Sequence, residues 1–195
     1  MFSNLPALIE SIGLLGVAAI VFAESGLFFG FFFPGDSLLF TAGFLAAGGA
    51  FGITPLVFLA ALAAVAGDST GYWFGKKIGP RIFTRKNSFW FSHERVEEAH
   101  AFFEKNGAKS ILLARFIPAV RTFTPIIAGV AAMRYRTFLA WNVIGGILWG
   151  AGIPFLGYFL GKSIPNIDHY LFPLVCFIIV LSLLPLLKRI LWKYK

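Results

Sequence analysis

Four stretches of this 195-residue chain are long and apolar enough to leave water altogether: residues 5–23, 56–75, 138–161 and 170–187. A helix needs about 20 apolar residues to cross a ~30 Å hydrocarbon core, so each is expected to form a simple membrane span. Two further apolar stretches differ. Residues 24–47 are interrupted by Glu24, Pro34, Gly35 and Asp36, and residues 110–133 by Arg115, Pro118, Arg121 and Pro125. Proline removes a backbone donor and breaks a helix. Each stretch is therefore expected to form two short arms around a break, shaped by Pro34 and Gly35 in the first and by Pro118 and Pro125 in the second. An arm of about ten residues covers about 15 Å, half the membrane, so both read as re-entrant hairpins. Irregular backbone survives at that depth only when packed in protein or lining a wet cavity.

Composition agrees. Hydrophobic residues make up 58% and charged residues 13%, whereas soluble domains run near 25% charged. Disorder, a secreted disulfide scaffold and an ordinary cytosolic enzyme are excluded. The single cysteine, Cys176, has no bridging partner and no metal-ligand spacing around it, so no metal or cofactor is expected. The net charge of +8 suggests loops facing anionic lipid rather than nucleic acid. The N-terminal stretch lacks a basic leader, so it reads as a retained span rather than a cleaved signal. Eight bases fall between Lys76 and Lys109, four in the tail 188–195, and Arg134 and Arg136 flank the second hairpin. One topology, with both termini inside, puts all fourteen in the cytoplasm and leaves only Lys162 outside. Segment 76–109 is the cytoplasmic loop. Ser92 reads there as an N-cap, Gly107 as a stop, and Val96, Ala99, His100 and Phe103 as one face of an amphipathic helix lying on the membrane.

The halves resemble each other at an offset of 86. Gly71-Tyr72, Gly75-Lys76 and Ile78 match Gly157-Tyr158, Gly161-Lys162 and Ile164, and Ala42-Gly43 matches Ala128-Gly129. The repeats are 24–75 and 110–161, each a hairpin plus a span, followed by a last span, 170–187. One net crossing per copy makes the second copy upside down. The expected fold is thus all-α integral membrane, with four transmembrane helices plus two re-entrant helical hairpins in an inverted repeat and one interfacial amphipathic helix. Inverted repeats with broken helices meeting near the midplane are a transporter architecture.

Four ionisable groups lie within hairpin sequence: Glu24, Asp36, Arg115 and Arg121. Each costs roughly 2.5–3.5 kcal/mol at a helix centre, so about 10–14 kcal/mol together. The two acids fall in one hairpin and the two bases in the other, so the set is neutral if the tips meet. One reading is a structural ion-pair network locking two hairpins. In the functional reading, Arg115 and Arg121 present guanidinium donors to an anion, phosphate above all, while Glu24 and Asp36 take up protons. Asp68, in Gly67-Asp68-Ser69-Thr70-Gly71, is a fifth candidate for proton coupling, balanced against an acid snorkelling to the interface. Gly67, Gly71, Gly75 and Gly79 mark close helix packing. Asn142 reads as interhelical glue with a role in the cavity, and Trp149 as a second cavity-lining residue. No catalytic set is evident: Ala66 stands where a glycine-x-glycine-aspartate protease signature needs glycine, and no Ser/His pair lies at matched depth.

Glu24 followed by Phe33-Pro34-Gly35-Asp36, then Gly67-Asp68-x-x-Gly71-Tyr72-x-x-Gly75, resembles the DedA family of bacterial membrane proteins. So do Arg115-Phe116-Ile117-Pro118-x-x-Arg121-Thr122 and Asn142-x-x-Gly145-x-x-x-Trp149, over about residues 20–160. The resemblance implies essential acids at Glu24 and Asp36 and essential arginines at Arg115 and Arg121. It implies a lipid-moving or proton-motive-force-dependent role in the bacterial cytoplasmic membrane, with undecaprenyl phosphate the leading substrate.

The expected function is therefore a non-enzymatic lipid-phosphate translocase. Arg115, Arg121 and Thr122 would bind the phosphate of a polyprenyl-phosphate lipid, membrane lipids would surround it, and protons or sodium would drive it. A proton-coupled exporter of small cations or drugs and a non-transporting membrane-homeostasis factor are the alternatives. Glycine stripes are compatible with a homodimer.

Overall fold

The computed structural model describes residues 5–26, 35–82, 103, 105, 107, 109–115 and 117–163. Every regular element among them is helical: α1 (Leu5–Gly26), α2 (Gly35–Ala47), α3 (Ile53–Ile82), α4 (Lys109–Ala114), α5 (Pro118–Arg121), α6 (Thr124–Val130) and α7 (Tyr135–Ser163). Three are long and apolar enough to cross a membrane, over Pro6–Gly26, Ile53–Ile78 and Tyr135–Ser163. They correspond to the first three expected spans. The fourth, 170–187, lies outside the described residues, as does the amphipathic helix except for Phe103, Lys105 and the stop Gly107.

The first span is not simple. Gly13 leaves helical geometry, with φ 61° and ψ −169°, a conformation open to glycine and strained for other residues. The helix also runs on to Gly26, so Glu24 belongs to its last turn and not to the interrupted stretch that follows.

That stretch ends in α2, whose 13 residues cover only about 20 Å. The second interrupted stretch is cut into three short helices. Ile117 is extended (φ −114°, ψ 104°), as a residue before proline prefers. Pro118 and Pro125 each occupy a first helical turn, where a missing N–H costs nothing. Ala132, at φ 49°, turns the chain into α7.

The buried face of α3 is a stripe of small residues and anchors: Leu56, Ala60, Ala64, Gly67, Asp68, Gly71, Tyr72 and Gly75. Its other face exposes Phe58, Leu62, Trp73 and Phe74, and α7 exposes Leu148, Phe155, Leu156 and Phe159. Large apolar side chains turned outward suit hydrocarbon, where small residues instead let helices approach.

The described residues fall into two compact units, one from 5–21, 35–63 and 146–163, the other from 22–26, 64–82 and 103–145. In the first, α2 packs on α7 through two glycines. A Cβ on Gly43 would collide with the Pro154 carbonyl, and one on Gly157 with the Phe40 carbonyl. In the second, α6 packs on α3 in the same way, Gly129 against the Tyr72 carbonyl and Gly75 against the Ile126 carbonyl. Tyr72 also stacks on Phe138 at 4.7 Å and donates its hydroxyl to the Met133 carbonyl. Phe103, Ile111, Ala128 and Ala131 complete that core.

The two units share this construction with a register of their own. The short-helix contacts, Gly43 with Gly129 and Phe40 with Ile126, are 86 residues apart. Their long-helix partners, Pro154 with Tyr72 and Gly157 with Gly75, are 82 apart. The long helix is thus shifted by one turn relative to the offset that the Gly-Tyr-x-x-Gly-Lys match suggests.

Candidate functional site

The second unit buries four charged side chains: Glu24, Asp68, Arg115 and Arg121. Glu24 is on the last turn of α1, which lies on α3 where Gly26 and Gly67 meet backbone to backbone. Asp68 is the next residue of α3. Arg115 follows the end of α4, and Arg121 ends α5. The proline breaks therefore place both arginines at helix ends, where the chain is free to aim them inward.

Arg121 Nη2 donates to Glu24 Oε1. Arg115 Nη2 donates to Asp68 Oδ2 and to the Ala64 carbonyl at 3.2 Å, and Nη1 to the Asn142 carbonyl at 3.0 Å. Gly145 makes room for this arginine, since a Cβ there would sit 3.3 Å from Arg115 Cδ. Arg121 also acts electrostatically on Asp68 and Arg115, so two acids and two bases form one group of zero formal charge. Asn142 is the cross-brace: its Nδ2 donates to the Val65 carbonyl at 3.0 Å and approaches Ser69 Oγ at 3.5 Å.

The set read from sequence is thereby rearranged. Arg115 takes Asp68 as its counter-ion, and Arg121 takes Glu24. Asp36 lies in the other unit, in the first turn of α2, where its Oδ1 accepts the indole N–H of buried Trp149 at 2.8 Å. Trp149 is thus an anchor for Asp36. Replacing Trp149 by Phe should lower thermal stability by about 1–2 kcal/mol. Adding Trp149→Phe to Asp36→Asn should cost much less, as a double-mutant cycle in detergent would measure.

Thr122 is buried directly after Arg121, and Pro125 is buried against Gly71. Gly35 opens α2 and is buried; Pro34 lies outside the described residues. Sequence reasoning missed the main-chain acceptors of Arg115 on Ala64 and Asn142. Carbonyls leave no mark in a sequence; only the glycine at position 145 hinted at a bulky neighbour.

The VTT domain family model matches residues 33–159, which hold three of the four clustered charges and both Asp36 and Trp149. The chain belongs to the DedA (VTT-domain) family of membrane proteins. An uncharacterized membrane protein of Mycobacterium tuberculosis is 50% identical over 175 residues, 88% of this chain and 76% of the relative. Protein DedA of Escherichia coli is 44% identical over 168 residues, 85% of this chain and 76% of the relative. Inner membrane protein YqjA of Escherichia coli is 39% identical over 147 residues, 74% and 66% of the respective chains. No solved structure matches this DedA-family chain.

Proposed function

We propose that this protein is a lipid-phosphate translocase of the bacterial cytoplasmic membrane, with undecaprenyl phosphate the leading substrate, and that it moves the lipid without changing it chemically. The observation that carries the reading is the buried neutral group of Glu24, Asp68, Arg115 and Arg121, assembled around a twice-broken segment in a membrane protein.

Buried ion pairs often stabilise no better than apolar packing, so a fold does not need four such groups to hold together. An arginine resting on a carboxylate is instead ready for exchange. A lipid phosphate offers the guanidinium the same paired oxygens and can take the carboxylate's place. The displaced carboxylate would then be a lone buried charge, which is costly. Taking a proton removes that cost, so binding of the anion and uptake of a proton favour each other. Release on the other side reverses both steps. The isoprenoid tail stays among the outward apolar side chains of α3 and α7. The basic loops support a topology with both termini in the cytoplasm.

The test is purified protein in liposomes carrying a fluorescent polyprenyl phosphate, with an added phosphatase reporting headgroups in the outer leaflet. Transfer should exceed that of protein-free vesicles and respond to an imposed pH gradient. Rates equal to protein-free vesicles under either gradient would reject the reading. A cation exporter would instead tolerate Arg121→Lys better than a phosphate carrier does.

A further inference from the structure

We propose that the side-chain oxygen of Asn142 selects phosphate monoesters over diesters by accepting a hydrogen bond from the P–OH of a singly ionised monoester. This rests on the lipid-phosphate reading above and names the residue that narrows it. Asn142 is 1% exposed. The bond from Nδ2 to the Val65 carbonyl fixes the amide's orientation, because the reverse placement would set two oxygens against each other. Oδ1 is then buried with no hydrogen-bond donor among the described residues. Native proteins rarely leave a buried acceptor so.

The residue that carries the orphan acceptor also holds Arg115. Val65, which fixes the amide, follows Ala64, whose carbonyl binds Arg115 Nη2, and the main-chain oxygen of Asn142 binds Nη1. A ligand group complementary to both must offer an anionic oxygen to the guanidinium and a donor to the amide oxygen within the width of one phosphate. A monoester bearing one proton offers both, its oxyanion taking the place that Asp68 holds on Arg115. A diester offers only the first. The two carry the same single negative charge, so the arginine alone cannot separate them, and a bilayer is crowded with diesters. A site built to bond a hydroxyl rejects the analogue that lacks it, because its own polar group is left bare.

The test uses the full chain in detergent, with monododecyl phosphate and methyl dodecyl phosphate as probes and affinities from calorimetry. At about pH 5.5, below the second phosphate pKa near 6, the monoester should bind at least about tenfold tighter. The ratio should fall toward one in Asn142→Leu. Asn142→Ala, measured at the same pH, decides the matter if the leucine variant does not fold. Equal affinities at the lower pH, or a preference that survives in Asn142→Leu, would overturn the role of Asn142 and leave the lipid-phosphate reading standing. Folded protein that binds neither probe would overturn that reading itself.

Discussion

Replacing Arg121 by Gln should cost about 3–5 kcal/mol of stability and abolish lipid-phosphate transfer, whereas the double change Glu24→Gln/Arg121→Gln should regain most of the stability and none of the transfer. The single change leaves Glu24 buried opposite a neutral amide. An uncompensated charge in that place is strongly destabilising, while removing both charges is often close to neutral. Transport cannot be regained, because the guanidinium that meets the phosphate is gone. Unfolding in detergent would give the stabilities, and the vesicle assay the rates. A purely structural ion pair predicts the opposite for function: the double variant would transfer lipid as well as the unaltered protein. The Asp68–Arg115 pair should behave differently in the same cycle. Arg115 also binds the carbonyls of Ala64 and Asn142, so Asp68→Asn/Arg115→Gln should recover only part of the loss. A full recovery there would remove the clamp assigned to those carbonyls.

The charges were legible in the sequence, but their pairing was not. In a chain so apolar, Glu24, Asp68, Arg115 and Arg121 stand out by the cost of burying them. Which acid meets which base depends on helix rotation and on where a helix stops, and neither is written locally. Glu24 opens an interrupted stretch in the sequence, yet nothing between Ala23 and Gly26 breaks a helix, so α1 runs on and carries it. In the sequence Asp68 is balanced between two roles, because its helix can present it to the interface or to the interior. The small residues Ala64, Gly67 and Gly71 settle this by drawing that face of α3 inward. Pro118 and Pro125 mark helix breaks in the sequence because proline's chemistry is local, but two arms around one break are expected where the chain makes three short helices. The break at Gly13 was not legible, because glycine permits a non-helical conformation without requiring it.

The packing shared by the two units makes a sharp prediction about glycines. Gly67, Gly71, Gly75 and Gly79 recur every four residues, so a sequence match slides by one helical turn and still pairs glycine with glycine. An offset of 86 equates Gly71 with Gly157, whereas the packing equates Gly75 with Gly157. Alanine substitution separates the two. At Gly157 and Gly75 the new methyl meets a main-chain carbonyl of a packed helix, which yields only if the helices part. Each change should cost about 3 kcal/mol or more. At Gly71 the nearest atom would be the Pro125 Cβ at 3.4 Å, ordinary contact, and the gain in helix propensity of up to about 1 kcal/mol should offset most of the crowding. Gly152, with nothing within 4 Å of its Cβ position, is the control and should lose no stability. Melting of the purified variants in detergent would rank them. If Gly71→Ala proved as damaging as Gly157→Ala while Gly75→Ala was mild, the offset of 86 would hold for the long helices too, and the one-turn shift would be wrong.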